Sequence, residues 1–276
     1  MINSLNVYND MPPKGPIRLW DAGVLWADIE KIRGHYDWSK LDDFVNRAGK
    51  RSIMLVIGHP PAWAAKGGPD GCQASWMPEG SNRPIGDMDA WKRYVEAVVT
   101  RYKGSIRLYQ VWNEPADKRF YSGTYNDLAK ACKVAYQIIK RVDKRAKVVS
   151  PPLQPRKQAG WNRGRGRSII KSLKDVGYPF DIWSMHIYPQ KGEGVEGFVR
   201  DCKLVINEID KHPKNNRLWI TEANYNLGGE GNPYTVRKQN ELKRQTSSAC
   251  RTLDIQRCYW YAYNVNEPHL FGIVEF

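Results

Sequence analysis

Two glutamates stand where a carboxylate could do acid–base or nucleophilic work. Glu114 ends the run Leu108-Tyr109-Gln110-Val111-Trp112-Asn113-Glu114-Pro115, a short apolar strand pattern stopped by proline. Proline disfavours the helical region for the residue before it, so Glu114 is expected to sit extended at the strand's last position. Glu222 ends a second such run, Leu218-Trp219-Ile220-Thr221-Glu222. Two carboxyls ~5–5.5 Å apart can act as nucleophile and acid/base on an acetal centre, whereas a gap of ~6.5–9.5 Å admits a water between them. The charge on one carboxylate holds the proton on the other, so a single pair can supply both an acid and a nucleophile. Sequence alone does not give the gap.

The elements around these runs must bring them together. Strand patterns alternate with helical ones along the chain, the signature of a parallel sheet with crossover helices. Ile53 to Ile57 is an unbroken apolar run, as expected of a strand buried on both faces. Strand patterns also cover Pro16–Trp20, Ile106–Trp112, Lys147–Val149, Phe180–Tyr188, Arg217–Glu222 and Arg257–Tyr263, with a weaker one at Ser4–Val7. The expectation is a single-domain (β/α)8 barrel spanning residues 1–276, with Glu114 and Glu222 at the tips of the fourth and seventh strands. Strand tips at that end of a barrel are where enzymes of this architecture keep their chemistry. A long loop at about residues 58–87, rich in Pro, Gly and Trp, is expected to be functional. Between Val7 and Pro16 there is no room for a whole crossover, which takes at least ~10–12 residues. After Tyr263 only a short segment without helical period remains. The first and last outer helices are therefore expected to be short or missing. The seam left where the first and eighth strands meet would be covered by the tail 271–276, a partner chain or a further segment.

Composition narrows the partner. Eleven Trp and fifteen Tyr against six Phe favour flat faces with polar handles, suited to stacking on sugars. A net charge of +14 favours an acidic partner, such as an anionic polysaccharide or nucleic acid. The basic residues are scattered, with one local cluster at Arg156-Lys157 and Arg163 to Arg167, and no nucleic-acid-binding motif accompanies them. Five cysteines show neither a CxxC pair nor zinc spacing, and the five histidines show no metal-ligand spacing. There is no glycine-rich phosphate loop. No metal or cofactor is expected. No signal peptide is recognisable, no apolar run reaches the ~20 residues of a membrane span, and location is left open between the cell envelope, the exterior and elsewhere.

Taken together, several motifs resemble the retaining glycoside hydrolases of clan A, most nearly those around family 39. They are Arg18-Leu19-Trp20-Asp21 with Trp26 and Ile29-Glu30, Tyr36-Asp37-Trp38, Pro60-Pro61-Ala62-Trp63-Ala64, and Trp112-Asn113-Glu114-Pro115. The resemblance implies Glu114 as proton donor and Glu222 as nucleophile. It implies Asn113 on the sugar 2-hydroxyl, His186 and Tyr188 beside the carboxylates, and Arg18 paired with the nucleophile. Trp260 would be the aromatic floor under the reacting sugar, and His59, Trp63 and Trp26 would stand at the mouth. The implied activity is retaining cleavage of β-linked glycosides, endo-acting on a polysaccharide or oligosaccharide. A non-catalytic carbohydrate-binding barrel is the alternative, and a basic nucleic-acid-binding protein a weaker one.

Overall fold

The computed structural model describes residues 2–7, 12, 15–67, 73–155, 161, 164–190, 192–212, 217–225 and 236–263. Its strands are β1 (Ile2–Val7), β2 (Ile17–Leu19), β3 (Ile53–Ile57), β4 (Leu108–Val111), β5 (Lys147–Val149), β6 (Trp183–Ile187), β7 (Leu218–Ala223) and β8 (Ile255–Tyr263). All pairings between neighbours are parallel, in the order β5-β4-β3-β2-β1-β8-β7-β6. Parallel bridges from Val149 to Ile182 and from Leu153 to Met185 join the two ends, so the sheet closes into a barrel. The weak opening pattern is a full strand, and β1 pairs with both β2 and β8.

The helices are α1 (Trp26–Ile29), α2 (Ser39–Ala48), α3 (Met88–Arg101), α4 (Tyr125–Val142), α5 (Arg165–Asp175), α6 (Gly194–Ile209) and α7 (Val236–Thr252). Each of β2 to β7 is followed by at least one of them, whereas among the described residues none lies between β1 and β2. Residues 264–276, with the tail expected over the seam, lie outside the described residues, as does Cys72. Helix starts are set by local chemistry. Asp87 accepts the Ala90 N–H at 2.8 Å and Thr124 accepts that of Asp127 at 3.1 Å, each meeting a donor the first helical turn leaves open. Inward from those caps, α3 buries Trp91, Tyr94, Val95 and Val98, and α4 buries Leu128, Ala131, Ala135 and Ile138.

Strand alternation sorts the remaining side chains. Ile17, Leu19, Ile53, Leu55, Ile57, Tyr109 and Val111 face the helices in one continuous core. Residues of the opposite parity fill the barrel, where Met54, Leu108, Val149, Ile182 and Tyr259 form a separate apolar cluster. Polar groups share the same interior. Gln110 donates from Nε2 to Ser184 Oγ at 2.9 Å and to Thr221 Oγ1 at 3.0 Å, and its Oε1 accepts from Arg18. Just past β3, Gly58 has φ 115°, and a Cβ there would lie 2.8 Å from Cε3 of Trp112. Gly58→Ala should therefore cost on the order of 1–3 kcal/mol in chemical denaturation, because both the backbone and the indole would have to give.

Candidate active site

The last rung of the β3–β4 ladder is the bond from Trp112 N–H to Ile57 C=O at 2.7 Å. Beyond it the backbone leaves the sheet through left-handed residues. φ is 55° at His59, 72° at Trp112 and 41° at Glu114. Glu114 is thus not extended and does not lie in the strand, which corrects the sequence expectation. Pro115 does exclude the right-handed helical region for it, but not the left-handed one. Glu114 instead opens a tight turn over Pro115, its C=O accepting the Asp117 N–H at 3.0 Å. Such a conformation costs about 1–3 kcal/mol at a non-glycine residue and persists only where the surroundings hold it.

Those surroundings are on hand. Asn113 N–H donates to His59 Nε2 at 3.2 Å, and His59 Nδ1 lies 3.1 Å from Ser81 C=O. One ring nitrogen accepts and the other faces an acceptor, so His59 is the neutral Nδ1–H tautomer. Burial pushes its pKa down to about 3, in keeping with that assignment.

Glu222 reaches the same place by a different route. Between β6 and β7 the pairing steps from Met185–Ile220 to His186–Glu222, and between β7 and β8 from Ile220–Cys258 to Ala223–Trp260. The strand β7 therefore carries one extra residue relative to both neighbours, a bulge at Thr221–Glu222. The bulge lets two consecutive side chains face inward. Thr221 bonds Gln110, while Glu222 meets Arg18 and Tyr188.

Arg18 is fully buried and sets the geometry. Its Nη1 donates to Glu222 Oε1 at 2.7 Å, its Nη2 to Asn113 Oδ1 at 2.7 Å and its Nε to Gln110 Oε1 at 2.8 Å. Tyr188 Oη donates to the other Glu222 oxygen, Oε2, at 2.7 Å. His186 Nδ1 stands 2.9 Å from Glu114 Oε1 and 3.4 Å from Glu222 Oε2. One oxygen from each carboxylate and a nitrogen of His186 all lie within 4.8 Å of one another. That spacing could also ligate a cation. However, both oxygens of Glu222 already accept strong donors, Oε1 from Arg18 and Oε2 from Tyr188.

Of the residues inferred from sequence, Arg18, Asn113, Glu114, His186, Tyr188 and Glu222 converge, with His59 supporting Asn113 from behind. Three others do not. Trp260 is 1% exposed and belongs to the core between barrel and helices, its ring 6.4 Å from Tyr225. It sits between inward-facing Tyr259 and Tyr261, so alternation turns it away from the mouth. Trp26, on the single turn of α1, stacks on Tyr94 at 5.1 Å and donates to Glu30 Oε2 at 2.5 Å; it too is core. Trp63 is half-buried with its Nε1 on Glu30 C=O at 3.1 Å and Arg33 over its face at 4.7 Å.

The mouth also holds groups that sequence reasoning missed. Tyr261 donates to Asp21 Oδ2, just beyond β2. Trp20 packs against His59 at 4.5 Å and against Trp76 and Phe120, each at 5.9 Å. Trp76 is 53% exposed and offers a flat face to solvent. The parity of Tyr259, Trp260 and Tyr261 relative to the rest of the barrel was the available signal, and bulges conceal it.

Comparison with known proteins follows this geometry. A sequence profile for glycosyl hydrolase family 10 matches residues 23–255, from just before α1 to the start of β8. The chain belongs to glycosyl hydrolase family 10. Families 10 and 39 both lie within clan A, so the clan read from the motifs stands. An endo-1,4-beta-xylanase of Gibberella zeae is 29% identical to this family 10 chain over 122 residues, which are 44% of the chain and 31% of the xylanase. The chain spans about a third of the length of that curated relative. Among solved structures, a glucosidase from Croceicoccus marinus has TM-score 0.69 at 15% identity, covering 94% of this chain and 57% of that one. A family 39 glycoside hydrolase from Bacteroides cellulosilyticus WH2 has TM-score 0.64 at 18% identity, covering 98% and 59%. At these identities the two structures bear on the fold, a clan A barrel.

The half-buried Asp21 gives this site a pH signature. Burial, reinforced by the charge on Glu222 and opposed by the Tyr261 hydrogen bond, pushes its pKa from 3.8 up to about 7. An acid whose pKa is raised on folding adds its full stability below the unfolded value, about 4, and loses it as the pH climbs through the folded one. Wild-type stability should thus fall by a few kcal/mol between about pH 4 and 7 on this account. In urea titrations across that range Asp21→Asn should flatten the slope.

Proposed function

We propose that this family 10 chain is a retaining endo-β-glycosidase acting on a β-1,4-linked polysaccharide of the xylan type. The observation that carries the reading is the approach of Glu114 and Glu222 oxygens within 4.8 Å, close to the ~5–5.5 Å of retaining pairs and short of the gap that admits a water. Glu222 attacks the anomeric carbon while Glu114 gives its proton to the glycosidic oxygen, and the leaving chain departs as an alcohol. The ester to Glu222 is then hydrolysed by a water whose proton Glu114 takes back. Arg18 and Tyr188 orient the nucleophile, and His186 orients both carboxylates through one ring nitrogen. Because Arg18 holds Asn113 Oδ1, the Nδ2 group is the end of that amide left to bond the sugar 2-hydroxyl.

Endo action is supported by the aromatic surface of Trp76 and Phe120, both packed on buried Trp20, which extends the site beyond a single sugar. The polymer is inferred from the printed activity of the Gibberella zeae relative. A net charge of +14 suits a chain carrying acidic substituents, bound over the outer surface rather than at the acidic mouth. No helix among the described residues is long and apolar enough to cross a membrane. Arg165 and Arg167 of the basic cluster are engaged within the protein, by Ala116 C=O and Glu208, which weakens a nucleic-acid role.

Activity on xylan and on a dinitrophenyl β-xylobioside tests the roles. Glu222→Gln should lower kcat on both by more than about 10,000-fold. Glu114→Ala should lose about 100- to 10,000-fold on xylan but far less on the activated glycoside, whose leaving group needs no proton. Near-normal turnover by Glu222→Gln would overturn the reading. In a separate comparison, Trp76→Ala should weaken KM for xylan by roughly 5- to 20-fold, as expected for one stacking contact, while leaving hydrolysis of the short aryl glycoside and the melting temperature nearly unchanged.

A further inference from the structure

The barrel end opposite the mouth, where strands start and helices finish, carries charge that the reaction does not use. Two turns meet there, 102–107 leading from α3 to β4 and 143–147 leading from α4 into β5. They lie side by side, since the Lys147 N–H donates to Arg107 C=O at 2.8 Å. Lys103, Arg107, Lys144, Arg145 and Lys147 are all exposed on these turns. The only acid in either turn, Asp143, is buried and occupied with local structure, its Oδ1 accepting the Arg145 N–H at 3.0 Å.

Cations at helix ends ordinarily answer the helix dipole, an effect confined to the last turn. In α3 and α4 that place is already filled. Arg101 in the last turn of α3 pairs with Asp42 at 2.6 Å. Lys140 and Arg141 in the last turn of α4 pair with Asp181 at 2.6 Å and Glu96 at 3.2 Å. The five exposed cations lie beyond those positions, and among the described residues none of them has a carboxylate within ion-pair distance. Arg107 and Lys147 stand at strand starts, which the dipole does not explain. Like charges gathered this closely repel one another, and a partner of opposite sign relieves the repulsion.

The surroundings narrow the partner. The exposed large apolar side chains among the described residues are Ile32, Trp76 and Leu204, and none is on these turns, so there is no apolar anchor to enter a bilayer. Tyr102 and Tyr109, the aromatic neighbours, are buried and offer no face on which bases could stack. What remains is a set of long, flexible cations that suits carboxylates spaced along a solvated polymer. We propose that the 102–107 and 143–147 turns form a docking surface for a carboxylate-bearing polysaccharide. The polymer class rests on the proposed glycosidase reading. Held there, an acidic polymer stays clear of the carboxylates at the mouth.

Affinity electrophoresis through polygalacturonate, which holds no xylosyl bond to cleave, reads this surface without turnover. A triple variant in the turns, Lys144→Gln with Arg145→Gln and Lys147→Gln, is compared with Lys130→Gln, Lys133→Gln and Lys203→Gln, which remove the same charge from exposed positions on α4 and α6. At low ionic strength the turn variant should bind on the order of 10-fold more weakly than wild type, two- to threefold for each contact, and the control less than about twofold. Wild-type binding should fade as salt rises past about 0.15 M, where screening sets in within ~8 Å. Both variants should match wild type on dinitrophenyl β-xylobioside, while on glucuronoxylan the turn variant should raise KM and leave kcat unchanged. No binding by wild type, or equal losses in the two variants, would overturn the surface. Duplex DNA or phosphatidylglycerol vesicles held more tightly than polygalacturonate, and released by the turn variant, would overturn the choice of partner. Wild type that binds polygalacturonate through the turns but cleaves no xylan would overturn the glycosidase reading and leave the docking surface standing.

Discussion

The Arg18 guanidinium is the interaction on which the site depends. Fully buried, it ties the tips of β4 and β7 to β2 through Gln110, Asn113 and Glu222. Removing a guanidinium and a carboxylate from water costs several kcal/mol for each ion, and their attraction repays this only when geometry and remaining hydrogen bonds are good. Here the rest of the polar interior supplies them. The Gln110 amide is oriented by Arg18 on one side and by Ser184 and Thr221 on the other, and Tyr188 meets the second oxygen of Glu222. What this network secures is less stability than position: it fixes where the charge of Glu222 sits and which way Asn113 faces.

Much of this was legible from sequence because strands announce themselves. Apolar-rich runs ended by proline or by a polar residue located β3, β4, β6 and β7, and the tip residues of parallel strands gather at one end by topology alone. That is why Glu114 and Glu222 could be named together, while Arg18, Asn113, His186 and Tyr188 came from the resemblance to clan A motifs. The opening strand was weak on paper because its six residues mix polar and apolar types, yet its backbone pairs on both edges.

Failures came where local geometry departs from the average. The left-handed φ of Glu114 is imposed by tertiary contacts, and a proline rule speaks only to which regions are disfavoured. Trp260 was misplaced because one residue of register decides whether a strand side chain faces the barrel or the helices, and β8 has irregular pairing with both neighbours. The motif resemblance put Trp26 at the mouth, but one helical turn carries it beneath α3. Asp21 stood in the β2 motif without a role, and Tyr261 belongs to no motif; only closure of the barrel brings β2 and β8 to either side of β1.

Charge is divided in the same spirit. The protein as a whole is strongly basic, while the mouth concentrates Asp21, Glu114 and Glu222 around one buried arginine. The central claim is that the two glutamates act in turn on one anomeric carbon, and the stereochemistry of the first product tests it most directly. Proton NMR of xylohexaose hydrolysis, followed from the first minutes, should show the β-anomer of the new reducing end before mutarotation produces the α. The α-anomer appearing first would contradict the account.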